Sequence, residues 1–137
     1  MNNLRLILLI ALLPVSPMSA QSNRTATSRT LPMGIWGGDH ITMTVDAAGA
    51  QIEFDCAVGA IVGPISLDSS NHFQVKGIYR SQSPAPMGAD ASDANNAIYS
   101  GVVKGGKLHL DIGIAGRSDH LIFELTHSQE GHIAKCA

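Results

Sequence analysis

The sequence predicts an all-β protein, a small antiparallel up-and-down barrel of seven to eight strands closed by one disulfide. Short runs in which apolar and polar residues alternate recur over residues 40–136, as in strands with one buried face. Turn-forming residues separate these runs, and no amphipathic helical period follows residue 20. The only two cysteines lie in an early and a late run. A barrel has no exposed edge strands, so closure is favoured over the alternative, a β-sandwich.

The first twenty residues predict a secretory signal peptide. Arg5 supplies the positive start, residues 6–15 the short apolar core and Ser19-Ala20 a small-residue cleavage end. The apolar core is too short to span a membrane. We therefore expect a periplasmic or secreted protein with a flexible leader at residues 21–30 and one barrel domain at residues 31–137.

Charge argues against nucleic acid as a partner. The sequence has 9 basic and 11 acidic residues, and removal of Arg5 with the signal leaves 8 basic residues and a net charge of −3. No basic run is present, and the few aromatic residues are not interleaved with positive charge.

The first half of the domain predicts one hairpin. Trp36, the only tryptophan, lies in a glycine-rich segment, residues 34–38, and is expected to anchor the core. Strands at residues 40–45 and 51–56 flank a turn at residues 46–50, and their apolar faces align. Cys56 falls on that apolar face, which predicts a buried sulfur.

The middle of the chain is less regular. Glycines and a proline interrupt residues 57–68, which predicts at most a short edge strand at residues 65–67. Residues 72–80 alternate again, with a bulge expected at Gly77. Residues 81–96 contain two prolines and predict a long loop, either a binding flap or a mobile segment.

Residues 97–127 predict a three-strand meander. Gly105-Gly106 suits a two-residue turn between strands 97–104 and 107–114, with Lys104 opposite Lys107. Alignment of apolar faces then pairs Ile112 with Phe123 in the strand 120–127. This register sets Asp111 beside Glu124 on the outward face, two like charges that a cation or water would have to offset. A last strand is expected at residues 132–136.

Cys56 and Cys136 predict a structural disulfide, because two cysteines remain in an oxidising compartment. The bridge would close a loop of 80 residues, which a chain-entropy estimate values at roughly 4 to 4.5 kcal/mol. A metal site or redox chemistry is the alternative, although no Cys-x-x-Cys motif is present.

The sequence predicts no enzyme and no cofactor. It has neither a Gly-x-Ser-x-Gly elbow nor a phosphate-binding loop. Of the six histidines, only His109 is expected to share a strand face with a carboxylate, Asp111, and to approach another, Glu124. These three residues give a metal-binding alternative.

Two resemblances follow from motifs. The pattern Trp36-Gly37-Gly38-Asp39-His40-Ile41, Phe54-Asp55-Cys56-Ala57 and Lys135-Cys136 resembles a group of small, uncharacterised secreted bacterial proteins, which implies a β-rich fold and no function. Gly34-Ile35-Trp36 is similar to the Gly-x-Trp entry of lipocalin-type barrels and of small secreted barrel inhibitors of metalloproteases. A Thr-Asp-Tyr signature is not found in this sequence, so the resemblance does not imply a roomy ligand cavity.

Two functional hypotheses result. The first is a non-catalytic binding module that holds a small apolar ligand inside the barrel or an envelope protein at its rim through residues 81–96, with Trp36, His109, Asp111 and Glu124 as candidate binding residues. The second is a protease inhibitor whose leader enters a protease cleft. A hollow barrel predicts that apolar probes change Trp36 fluorescence, whereas an inhibitor loses activity when the leader is trimmed.

Overall fold

A computed structural model describes residues 12–17, 28–82 and 94–136. Most of the predicted signal peptide and leader, and residues 83–93 of the predicted long loop, lie outside these ranges. Of the leader, Arg29–Thr30 form a strand, and of the predicted loop, Ser81 and residues 94–96 belong to strands. Within the described ranges, none of the chain forms a helix that could cross a bilayer.

Ten strands make up the described fold, and eight of them form a closed antiparallel barrel, as predicted. Around the barrel the order is β10-β2-β3-β4-β5-β7-β8-β9, so nearly all neighbours are consecutive in sequence. β1 and β6 pair with each other as a separate two-stranded ribbon. The strands are β1 Arg29–Thr30, β2 Gly34–Gly38, β3 Ile41–Asp46, β4 Gly49–Phe54, β5 Ala57–Val62, β6 Ser66–Leu67, β7 His72–Ser81, β8 Ala94–Lys104, β9 Lys107–Ile114 and β10 His120–His127.

The predicted meander is present, and one of its two registers is confirmed. Lys104 pairs with Lys107 across Gly105-Gly106, whose positive φ angles of 56° and 75° glycine adopts at no steric cost. The β9–β10 register is wrong by two residues, because Ile112 pairs with Leu121 instead of Phe123. The apolar faces still align, since a shift of two preserves the side of the sheet on which each side chain lies.

The first hairpin is tighter than predicted. Asp46 pairs with Gly49, so the turn contains only Ala47-Ala48, and Asp46 Oδ1 accepts a hydrogen bond from the Ala48 amide at 2.8 Å. At its other end, β4 stops at Phe54. Cys56 lies in the bend that follows and is exposed, which corrects its predicted burial.

β5 was not predicted as a barrel strand, because Gly59 interrupts its apolar run. The structure explains this glycine: it faces the barrel interior, where a Cβ atom would collide with the Tyr99 hydroxyl. The predicted short edge strand nearby does form, as β6.

The predicted bulge at Gly77 is wrong. β7 pairs with β8 without interruption from His72 to Arg80, so Gly77 and Tyr79 both face inward. A Cβ atom at Gly77 would lie 2.7 Å from the Tyr99 ring and 2.5 Å from the carbonyl oxygen of Ala60. The glycine that suggested a bulge instead makes room for a large neighbour.

The predicted last strand is also wrong. Residues 128–136, which we name the strap, make only an isolated bridge between His132 and Asp39. The strap ends at the predicted disulfide, Cys56–Cys136, which is present with the two Cα atoms 5.3 Å apart.

The barrel interior is packed with apolar side chains. Trp36, Tyr99 and Leu110 are fully buried, and Leu31 with Ile65 extends the core under the β1–β6 ribbon at one barrel end. Trp36 anchors the core as predicted, and its Nε1 donates to the Pro32 carbonyl at 2.9 Å. The remaining buried core residues are Ile41, Met43, Val45, Ala50, Ile52, Phe54, Ala57, Ile61, Phe73, Ala97, Leu108, Ile112, Ile114 and Leu125.

The tight contact at Gly77 gives a prediction. Gly77→Ala forces a methyl group against the Tyr99 ring, and we expect a loss of about 1–3 kcal/mol of unfolding free energy. Gly113→Ala is the matched control in the adjoining meander, because its Cβ would lie 3.4 Å from the His120 ring, an ordinary contact. Urea denaturation should leave the control within about 0.5 kcal/mol of the wild type. Equal stability of the two variants would contradict the packing described here.

Tyr99 gives a prediction about alkaline pH. Burial, and to a lesser degree the nearby Tyr79, raises the pKa of the Tyr99 phenol far above its ordinary value, while its hydroxyl donates to the Ile78 carbonyl at 2.6 Å. The unfolded chain loses this proton near pH 10, and the folded chain does not. Stability is therefore full below about pH 10 and falls as the pH rises above it. Denaturation curves from pH 8 to 11.5 should show this fall, and Tyr99→Phe should flatten it.

Candidate functional site

The barrel interior does not offer a site. Phe54, Phe73 and Tyr99 are buried inside it, and Phe123 packs against them from the partly open end. The rings of Phe54 and Phe123 lie 5.5 Å apart, and those of Phe54 and Tyr79 lie 5.3 Å apart. An eight-stranded barrel has an interior that such side chains fill. A ligand inside the barrel would have to displace this core.

Two hollows lie side by side on the outer wall of β7, β8 and β9. One has a volume of about 690 Å³ and the other about 560 Å³. Gln74, Ser100 and Asp111 line both hollows, so the two are continuous. We name this combined surface the outer groove.

The register explains why these side chains meet. Gln74 of β7 lies opposite Ser100 of β8, which in turn lies opposite Asp111 of β9. The three residues form one row across the wall. Paired residues of neighbouring strands have their side chains on the same face of a sheet, so all three side chains point outward. The small Ser100 side chain in the middle leaves the wall concave.

The rims of the outer groove come from loops and short elements. Ser66, Leu67 and Asp68 bound the larger hollow, and Ala115 with Arg117 bounds the smaller one. Hydrogen bonds from the backbone amides of His72 and Ser70 hold the pKa of Asp68 below its usual range, so this rim stays negative.

The rim at the smaller hollow carries an ion pair. The Arg117 guanidinium donates to both carboxylate oxygens of Asp119, at 3.1 and 3.4 Å. These hydrogen bonds lower the pKa of Asp119 and raise the pKa of Arg117. The rim thus has little net charge of its own.

Two histidine–carboxylate pairs lie between β9 and β10 at the outer groove, which His109, Asp111 and His120 line and Glu124 does not. His120 Nδ1 lies 2.6 Å from Asp111 Oδ1, and His109 Nδ1 contacts Glu124 Oε1. An ionised carboxylate oxygen only accepts hydrogen bonds, so Nδ1 carries the hydrogen in each pair. The Nε2 atom then faces away from the carboxylate contact, and it accepts a hydrogen bond in a neutral ring and donates one in an imidazolium.

These pairs change the site that the sequence predicted. Asp111 lies opposite Ile122, and Glu124 lies opposite His109, so the expected juxtaposition of Asp111 with Glu124 is wrong. No like charges face each other there. Among the residues that the structure describes, no group of three or more His, Cys, Asp or Glu side chains is arranged to hold a metal ion.

The other predicted binding residue, Trp36, lies elsewhere. It is fully buried in the core, where its ring packs against His127 with centroids 4.5 Å apart. It shares no surface with His109, Asp111 and Glu124, and it lines neither hollow of the outer groove.

Sequence reasoning missed two contributors to the outer groove, Gln74 and His120. Gln74 lies on an outward position of a predicted strand, so alternation could have assigned its face. His120 reaches Asp111 only because β10 is shifted by two residues relative to the predicted register.

A smaller hollow of about 400 Å³ lies on the outer wall of β3, β4, β5 and β7. Its floor is formed by the small residues of β5, and Glu53 and Arg80 lie on its two sides. It shares no lining residue with the outer groove.

Comparison of this chain with protein-family models, curated proteins and solved structures finds no significant match.

The histidine–carboxylate pairs give a prediction. Both partners of each pair are more than a third exposed, so water and salt screen their attraction. A double-mutant cycle with His109→Ala and Glu124→Ala should give a coupling energy below about 1 kcal/mol, measured by urea denaturation. The cycle for Asp111 and His120 should behave alike. A coupling several times larger in either cycle would mean that the pair supports the fold and does not merely orient a ring.

Proposed function

We propose that the protein is a non-catalytic binding module of the cell envelope or the secreted space, and that it binds on its outer wall, at the outer groove. The observation that carries this proposal is the contrast between a filled interior and two continuous hollows outside. The packed core disfavours the hypothesis of a small apolar ligand within the barrel. The hypothesis of a partner held at the barrel surface is compatible with it.

The lining supports a polar ligand or partner. Gln74 and Ser100 offer neutral donors and acceptors at the centre, and His109 and His120, each held by a carboxylate, add polar ring nitrogens on the β9 side. A few polar groups converging on a concave surface are typical of binding sites. The partner should present polar groups that can hydrogen-bond with this lining.

The absence of catalysis is part of the proposal. Ser100 shares the wall with His109 and Asp111, but His109 is paired with Glu124 and His120 with Asp111. A serine nucleophile needs a base within hydrogen-bond reach and donors for the oxyanion. Within the described part of the chain, Ser100 Oγ makes no hydrogen bond to either ring.

A localisation outside the cytoplasm supports this role. The Cys56–Cys136 disulfide is compatible with an oxidising compartment, and the predicted signal peptide would direct the chain there. The partner is accordingly expected among envelope or extracellular molecules.

The test is affinity capture from envelope extract with the mature protein and two matched variants. Ser100→Arg places a long side chain in the row shared by both hollows and should reduce the recovery of a specific partner at least about tenfold, which corresponds to 1.4 kcal/mol of binding free energy. Thr44→Arg makes the same change in the smaller hollow and should leave recovery unchanged.

The pattern of losses decides the proposal. Loss with Thr44→Arg alone would move the binding site to the smaller hollow, and no loss with either variant would overturn a site on these walls. Circular dichroism and the thermal midpoint should show that both variants are folded, since both changes are on outward positions.

A further inference from the structure

The strap, residues 128–136, lies across the outer face of β2 and β3 and ends at the disulfide. Its backbone is held at both ends: the Ser128 amide donates to the Ile35 carbonyl at 2.7 Å, and the Ala134 amide donates to Asp55 Oδ1 at 2.8 Å. Between them, His132 exchanges two backbone hydrogen bonds with Gly38 and His40, at 3.0 and 2.8 Å. The barrel thus presents a set of groups matched to an extended chain.

Two glycines make this fit close. A Cβ atom at Gly37 would collide with the strap backbone at residues 129–131. A Cβ atom at Gly131 would collide with the Ile41 carbonyl group and with Thr42 Oγ1, which accepts a hydrogen bond from the Gly131 amide at 3.1 Å. The strap can lie flat on the barrel only because both side chains are absent.

The strap nevertheless buries little apolar surface. None of its side chains is fully buried, and Ile133 is its one large apolar residue that packs partly against the barrel. A few hydrogen bonds, each exchanged for one with water, offset poorly the conformational entropy lost when nine residues are ordered. The covalent link therefore decides whether the strap stays in place.

That link is open to solvent. Cys56 and Cys136 are both exposed, so a thiolate from solution can reach the disulfide. None of the buried core residues belongs to the strap, so release of the strap uncovers no core side chain.

We propose that the Cys56–Cys136 disulfide is a redox-operated latch, and that reduction frees the strap while the barrel stays folded. A dithiol reductant supplies two electrons and two protons: its thiolate attacks one sulfur, its second thiol closes a cyclic disulfide, and the Cys56–Cys136 bond is replaced by two cysteine thiols. Release exposes the outer face of β2 and β3, and the Gly38 carbonyl, the His40 amide and the Asp55 carboxylate lose their hydrogen bonds to the strap.

The experiment is amide hydrogen exchange on the full mature chain, oxidised and after treatment with a dithiol. We expect exchange at the amides of His132, Ala134 and His40 to speed up at least about tenfold, while amides of the core strands, such as Met43 and Leu110, keep their protection. The double variant Cys56→Ser/Cys136→Ser without reductant should match the reduced protein.

Three results would contradict the proposal that the disulfide is a redox-operated latch. Unchanged protection of the strap amides after confirmed reduction would mean that hydrogen bonds alone hold the strap. Loss of protection at Met43 and Leu110 would mean that the disulfide supports the whole barrel. A disulfide that resists the dithiol in the folded protein, as mass spectrometry of alkylated cysteines would show, would mean that the bridge is not accessible.

Discussion

The barrel depends on the closure of its sheet where β10 meets β2. This junction contains only two residue pairs, Thr126 with Gly37 and His127 with Trp36, whereas each of the other seven junctions contains four or more. A sheet left open here would expose two unpaired strand edges. The strap crosses Gly37 from outside, beside this junction, and the disulfide fastens it to the far end of the first hairpin, but the two residue pairs between β10 and β2 close the sheet without it.

Inside this closed sheet, one large side chain requires small residues at the neighbouring positions. Tyr99 lies at the centre of the barrel, and glycines at positions 59 and 77 leave space for its ring and hydroxyl. Glycine weakens a strand when nothing occupies the freed space, but here the space is filled by an aromatic ring. The interior of the described barrel is therefore filled with side chains.

The shape of the outer wall depends on the β7–β8 and β8–β9 registers. Ser100, at the centre of the row that runs from Gln74 to Asp111, is small, and the loops after β6 and β9 rise on either side of it. His109 and His120 each pair with a different carboxylate and do not converge on one point. A metal site needs three or four ligands around one position, and the described residues provide no such group.

The sequence by itself determined the all-β class, the β8–β9 hairpin with its glycine turn, the burial of Trp36 and the pairing of the cysteines. Those features follow from local patterns: a period of two, residues that tolerate positive φ, and an even cysteine count. Tertiary structure alone decided the β9–β10 register, the inclusion of β5 and the exposure of Cys56. A shift of two residues keeps every apolar side chain inside, so hydrophobicity cannot distinguish the two registers. In the sequence Gly59 indicates a break in the strand, and only the position of Tyr99 beside it shows why a glycine is needed there. The partners of Asp111 and Glu124, and with them the candidate site, depend on distances between strands that no local pattern contains.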